Sequence, residues 1–100
     1  MNQLNKNLKI NNINNQQEIK FKNGGRYVGQ VVNGLREGKA IYYFKDGERY
    51  EGDYRNDKRE GKGIYYFNNG DRMMGDYYNG DPIGKHVMLT RNGEVKVNNY

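Results

Sequence analysis

His86 is the only histidine among 100 residues, and the chain has no cysteine. A lone imidazole has no second histidine or thiolate with which to share a metal, and no thiol to activate. His86 stands in a column of small residues, which reads as a packed side chain. The twelve acidic residues fall singly in turns or beside lysines, so no carboxylate pair for glycosidase-type chemistry stands out. Gly38-Lys39 and Gly61-Lys62-Gly63 set lysine beside glycine as a phosphate loop does. The loop's other glycines, its serine or threonine and its following helix are missing. Lys39, Lys62 and Lys85 remain, each 23 residues from the next. They read either as cross-strand partners of nearby acids or as a phosphate-binding ladder. No enzyme, cofactor or metal site is expected.

The same 23-residue interval runs through the chain. Tyr27-Val28-Gly29 opens a unit that continues through Gly38-Lys39-Ala40-Ile41-Tyr42-Tyr43-Phe44 to Asp46-Gly47. Tyr50-Glu51-Gly52 opens a second, with Gly61-Lys62-Gly63-Ile64-Tyr65-Tyr66-Phe67 and Asn69-Gly70. A third holds Met73-Met74-Gly75, Gly84-Lys85 and Asn92-Gly93. Self-similarity at such a period signals a repeat array. The units run 27–49, 50–72 and 73–95, with a partial repeat over 18–26 and another over 96–100. Residues 1–17 are asparagine-rich and read as a flexible leader, or, around Leu8 to Ile13, as a short strand covering the sheet edge.

Within each unit the apolar period is two, and Asn-Gly or Asp-Gly pairs mark hairpin turns. The chain is therefore expected to be all-β, a single antiparallel meander of successive hairpins with about eight short strands in an open, twisted sheet. If Lys45-Asp46-Gly47 is a three-residue loop with Gly47 left-handed, Tyr42 faces Tyr50 and Ala40 faces Gly52. Likewise Tyr65 faces Met73 and Gly63 faces Gly75. Rings then lie over neighbouring glycines, and the two columns explain each other. On the other face Lys39 falls opposite Asp53 and Lys62 opposite Asp76. Beside them Ile41, Tyr43, Ile64, Tyr66, Val87 and Leu89 form an apolar patch, which the leader, a second copy or a partner must cover. In the third unit Met73, His86, Met88 and Thr90 replace a tyrosine, a small residue, a tyrosine and a phenylalanine. That departure reads as a cap.

These columns closely resemble MORN repeats (membrane occupation and recognition nexus) over about residues 18 to 98. The resemblance implies a rod-like β-meander without catalysis, acting as a scaffold or adaptor in ciliary, axonemal or other cytoskeletal assemblies. It also implies a groove, lined by Tyr27, Tyr42, Phe44, Tyr50, Tyr65 and Phe67, that can hold a partner's extended segment or helix, with Tyr54 and Tyr77 as further candidates here, and a capacity to self-associate, here through the sheet edges. Proposed lipid binding in the family makes Lys20, Lys22, Arg26, Lys39, Lys62 and Lys85 candidate contacts for an anionic membrane. The net charge of +5 permits an acidic partner but is dispersed among acids, so nucleic acid is not expected. With no cysteine and no apolar signal-like run, the chain is expected to be intracellular, and the resemblance implies the cytoplasm, the cytoskeleton or a cilium as its address.

Overall fold

Small and aromatic residues alternate with charged and aliphatic ones, so every strand has two distinct faces. The computed structural model describes residues 7–10 and 16–100. The strands are β1 (Asn7–Ile10), β2 (Gln17–Lys20), β3 (Arg26–Val32), β4 (Leu35–Tyr43), β5 (Arg49–Arg55), β6 (Lys58–Tyr66), β7 (Arg72–Tyr78), β8 (Asp81–Leu89) and β9 (Val95–Asn99). They form one sheet in sequence order, every neighbour antiparallel. The expected register holds: Tyr42 pairs with Tyr50, Ala40 with Gly52, Lys39 with Asp53, Tyr65 with Met73, Gly63 with Gly75 and Lys62 with Asp76. Gly47 has φ 99° and donates its N–H to the Phe44 carbonyl at 3.0 Å, the left-handed loop that sets this register.

A ninth strand comes from the stretch expected to be either a flexible leader or a short edge-covering strand around Leu8 to Ile13, and it falls at Asn7–Ile10. Residues Asn7–Ile10 pair with β2, Leu8 opposite Ile19, which satisfies backbone groups that the β2 edge would leave unpaired. β2 itself begins at Gln17. The rest of the expected leader, residues 1–6 and 11–15, lies outside the described residues.

Each repeat also carries a bulge. Between Gly29 and Gln30 the pairing jumps from Ala40 to Glu37, leaving Gly38 and Lys39 extra on β4. Gly38 has φ 71° there, and Gly61 and Gly84, 23 and 46 residues on, have φ 77° and 70°. Bulges bend a strand and raise its twist. The core forms on the face that carries the tyrosines and small residues. Its buried members are Ile19, Tyr27, Ala40, Tyr50, Tyr54, Tyr77 and His86.

Candidate functional site

The aromatic face is built by close approach to glycine. A Cβ added at Gly63 would overlap the Tyr50 ring, and one added at Gly29 would press against the Tyr27 hydroxyl. Each of these tyrosines then donates its hydroxyl to a bulge carbonyl, Tyr27 to Gln30 O at 2.7 Å and Tyr50 to Asp53 O at 3.3 Å. The third repeat has Met73 in that place, and a thioether cannot donate. His86 supplies the bond instead: its Nε2 lies 2.8 Å from Asp76 O, and its ring covers Gly75. The imidazole packs edge-on between Tyr77 and Tyr100, at 5.3 and 5.0 Å between centroids. His86 is thus the packed side chain expected. The third repeat is not a terminal cap, however, because β9 continues the ladder beyond it. Its odd residues compensate one another.

Two arginines hold consecutive repeats together. Arg36 reaches the next turn, with Nε 2.6 Å from Asp57 Oδ1 and Nη2 2.8 Å from Asp57 O, while its guanidinium lies 5.0 Å from the Tyr54 ring centre. Arg59 does the same one repeat later, with Nε 3.1 Å from Gly80 O and the Tyr77 ring at 4.7 Å. Asp57 holds φ 74° in a position filled elsewhere by glycine, and its Oδ1 also accepts the Arg36 backbone N–H at 3.2 Å. Sequence reasoning missed this role. The signal was the 23-residue spacing of Arg36 and Arg59, with Pro82 ending the series.

The eight rings expected to line one groove therefore divide. Tyr27, Tyr50, Tyr54 and Tyr77 are 0%, 0%, 6% and 3% exposed, so they are core and offer no surface to a partner. They close on one another instead, Tyr54 edge-on against Tyr27 and Tyr50, and Tyr50 against Tyr77, at 5.1–5.7 Å between centroids. Tyr42, Phe44, Tyr65 and Phe67 stay half-buried and run as a ladder with centroids 4.8–5.5 Å apart.

Burial also sets the acidity of these phenols. It pushes Tyr54 up to about 12, although Arg36 and Arg59 pull the other way. Burial raises Tyr27, Tyr50 and Tyr77 as well, and at Tyr65 the Glu48 carboxylate adds to it through a 2.8 Å hydrogen bond. A folded-state pKa above the unfolded value near 10 means that the neutral ring is favoured by folding. That stability is complete below pH about 10 and is lost as pH rises toward 12 and beyond. Ionisation of these five phenols, followed separately from that of exposed rings such as Tyr78 and Tyr100, is expected to coincide with loss of the sheet's circular dichroism in one cooperative step above pH about 10. Titration of these five near pH 10 with the sheet intact would show them to be solvated.

The second face is a trough of about 910 Å³. Val28, Ile41, Ile64, Met74 and Val87 form its floor, one from each successive strand except β5, where Glu51 interrupts the row. Ile41, Ile64 and Val87 of the expected patch thus line it. Tyr43, Tyr66 and Leu89 lie one row over, on the line of Arg26, Arg49 and Arg72. Arg26 stacks 4.2 Å from the Tyr43 centre and Arg49 3.8 Å from that of Tyr66, each also bonded at 2.8 Å to a carboxylate, Glu18 and Glu51.

The expected lipid contacts are not brought together in one cluster. Lys39, Lys62 and Lys85 line one rim of the trough. Lys20 pairs with Arg26 on the opposite row, and Lys22 lies in the turn after β2. Lys39 and Lys62 stand 3.2 Å from Asp53 and Asp76 but keep 90% and 89% of their side-chain exposure. Such pairs contribute little to stability. Lys85 faces Asn99 where its siblings face aspartate. No three acidic, histidine or cysteine groups among the described residues could hold a metal. No helix among the described residues is long and apolar enough to cross a membrane.

The MORN repeat family model matches residues 27–49 and 50–72, the two units whose glycine and tyrosine columns are complete. No curated protein matches the chain. MORN repeats are generally non-enzymatic modules associated with protein–protein or membrane-lipid interaction. With that match over two consecutive units of a nine-stranded hairpin ladder, the chain is a MORN-repeat protein.

Proposed function

We propose that the protein is a non-catalytic adaptor which holds a partner protein along the trough of its second face. The single observation carrying this reading is the apolar floor, Ile41, Ile64, Met74 and Val87, which no described segment of the chain covers. An uncovered apolar surface of this kind is commonly an interaction site. What the family resemblance implies supplies the setting, an intracellular assembly of the cytoskeleton or cilium.

The test is recovery of partners from the protein's own cells with tagged wild type and with Ile64→Asp. Wild type is expected to bring down cytoskeletal or axonemal subunits, and the variant to lose them while remaining folded. Retention of the same subunits by Ile64→Asp would move the site off the trough. A second reading, attachment to anionic phospholipid, has one observation in its favour, the unanswered Lys85 on a rim with exposed Lys39 and Lys62. Flotation with phosphoinositide vesicles that is abolished by salt and untouched by Ile64→Asp would favour it over the adaptor.

A further inference from the structure

The trough crosses the strands, so anything lying along it meets the protein at the strand spacing. Two strands make one repeat, so Ile41, Ile64 and Val87 on the floor recur about every 9.6 Å. Lys39, Lys62 and Lys85 recur at the same interval on the rim. Seven residues of α-helix rise about 10.5 Å. A helix laid in the trough therefore meets one repeat per heptad, with a mismatch of about 1 Å. From the lysine row to the tyrosine row is four residues along a strand, about 13 Å, which admits a helix about 10–12 Å across. Val28 to Val87 spans five strand spacings, about 24 Å or 16 helical residues.

Charge gives the occupant its chemistry. Asp53 and Asp76 answer Lys39 and Lys62, but Asn99 stands opposite Lys85, and no carboxylate among the described residues pairs with Arg72. The third-repeat end of the trough is thus an apolar strip between unanswered cations. A second copy placed face to face would bring an equally basic surface, which like-charge repulsion opposes. Resting on the reading of the trough as the binding surface, we propose that its occupant is an amphipathic α-helix of a partner. Its apolar stripe has a heptad period and is flanked by Asp and Glu, most densely at the end over Arg72 and Lys85. A polar or basic residue interrupts the stripe where it passes Glu51.

Stapled helical peptides of about 18 residues test this against the full-length chain by fluorescence anisotropy. One carries Leu and Ile at heptad positions with Glu flanks, the second has Lys in place of Glu, and the third is a scramble of the first. A proline-rich peptide is the fourth. The acidic heptad peptide is expected to bind at least about tenfold tighter than the other three, and to weaken about tenfold in Arg72→Glu/Lys85→Glu. Ile64→Asp is expected to weaken it by about thirtyfold. Equal or better binding of the lysine, scrambled or proline-rich peptide overturns the proposal. If none of the four binds, peptides selected from an unbiased display library decide what else falls. Selected peptides without the heptad that are lost in Ile64→Asp overturn the helix but leave the adaptor. Selected peptides indifferent to Ile64→Asp overturn both.

Discussion

Tyr50→Ala is expected to destabilise the protein by about 4 kcal/mol, a large part of the 5–15 kcal/mol typical of a small domain. Tyr50 is wholly buried, packs edge-on against Tyr54 and Tyr77, and roofs Gly52 and Gly63. Truncation therefore leaves a cavity over bare backbone that the fixed ladder cannot close. Tyr50→Phe keeps the roof and loses only the 3.3 Å bond to Asp53 O, worth about 1 kcal/mol. Gly63→Ala in the native background forces the ring aside and is expected to cost about 2 kcal/mol. In the Tyr50→Ala background the same substitution meets no ring and costs almost nothing. Urea midpoints of the four proteins measure this. Additive losses would mean that the ring and the glycine are not in contact.

The second large effect concerns Met73 and His86. His86→Ala removes a buried ring and strips Asp76 O of its donor, for an expected loss of about 3 kcal/mol. Met73→Tyr alone brings a second ring to the space over Gly75 that the imidazole already fills, costing about 2 kcal/mol. Made together with His86→Gly, the tyrosine regains the geometry of Tyr50 over Gly63, and stability returns to near the native value. The coupling in this double-mutant cycle is expected to exceed about 2 kcal/mol. A coupling near zero would show that the histidine does not stand in for the missing hydroxyl.

The register was legible from sequence because two independent patterns agree on it. The 23-residue interval aligns Tyr27 with Tyr50, and the period-two alternation then sets Gly52 beside Ala40 and Gly63. Which aromatics would be core was not legible. Tyr42-Tyr43-Phe44 is apolar on both faces, and nothing local says which face closes. The bulge at Gly38 brings the Gln30 and Glu37 carbonyls to the Tyr27 hydroxyl, and a positive φ in mid-strand leaves no mark on apolar periodicity. Tyr27, Tyr50, Tyr54 and Tyr77 therefore look in the sequence like a partner's groove, but they are interior. Arg36 and Arg59 were hidden differently, since a long cation between turns looks like solvated surface until its neighbour's turn is placed against it. The trough was half visible, as apolar residues opposite the core. Its shape depends on curvature that sequence alone does not specify.

The strands run across the long axis of the molecule, eight spacings of about 4.8 Å accounting for most of its 44 Å length. Tension applied through the two ends therefore loads the backbone hydrogen bonds one pair at a time, in the manner of a zip rather than of shear. Such a ribbon yields at low force and in steps. Each repeat that opens releases roughly 70 Å of chain. Resistance concentrates where Arg59 grips Gly80 and Arg36 grips Asp57, while Pro82 leaves the last repeat without a grip of its own. Peeling from that end would meet no catch until the Arg59 clamp is reached. In a load-bearing filament the protein would act as an extensible fuse, giving length before the clamped middle is disturbed.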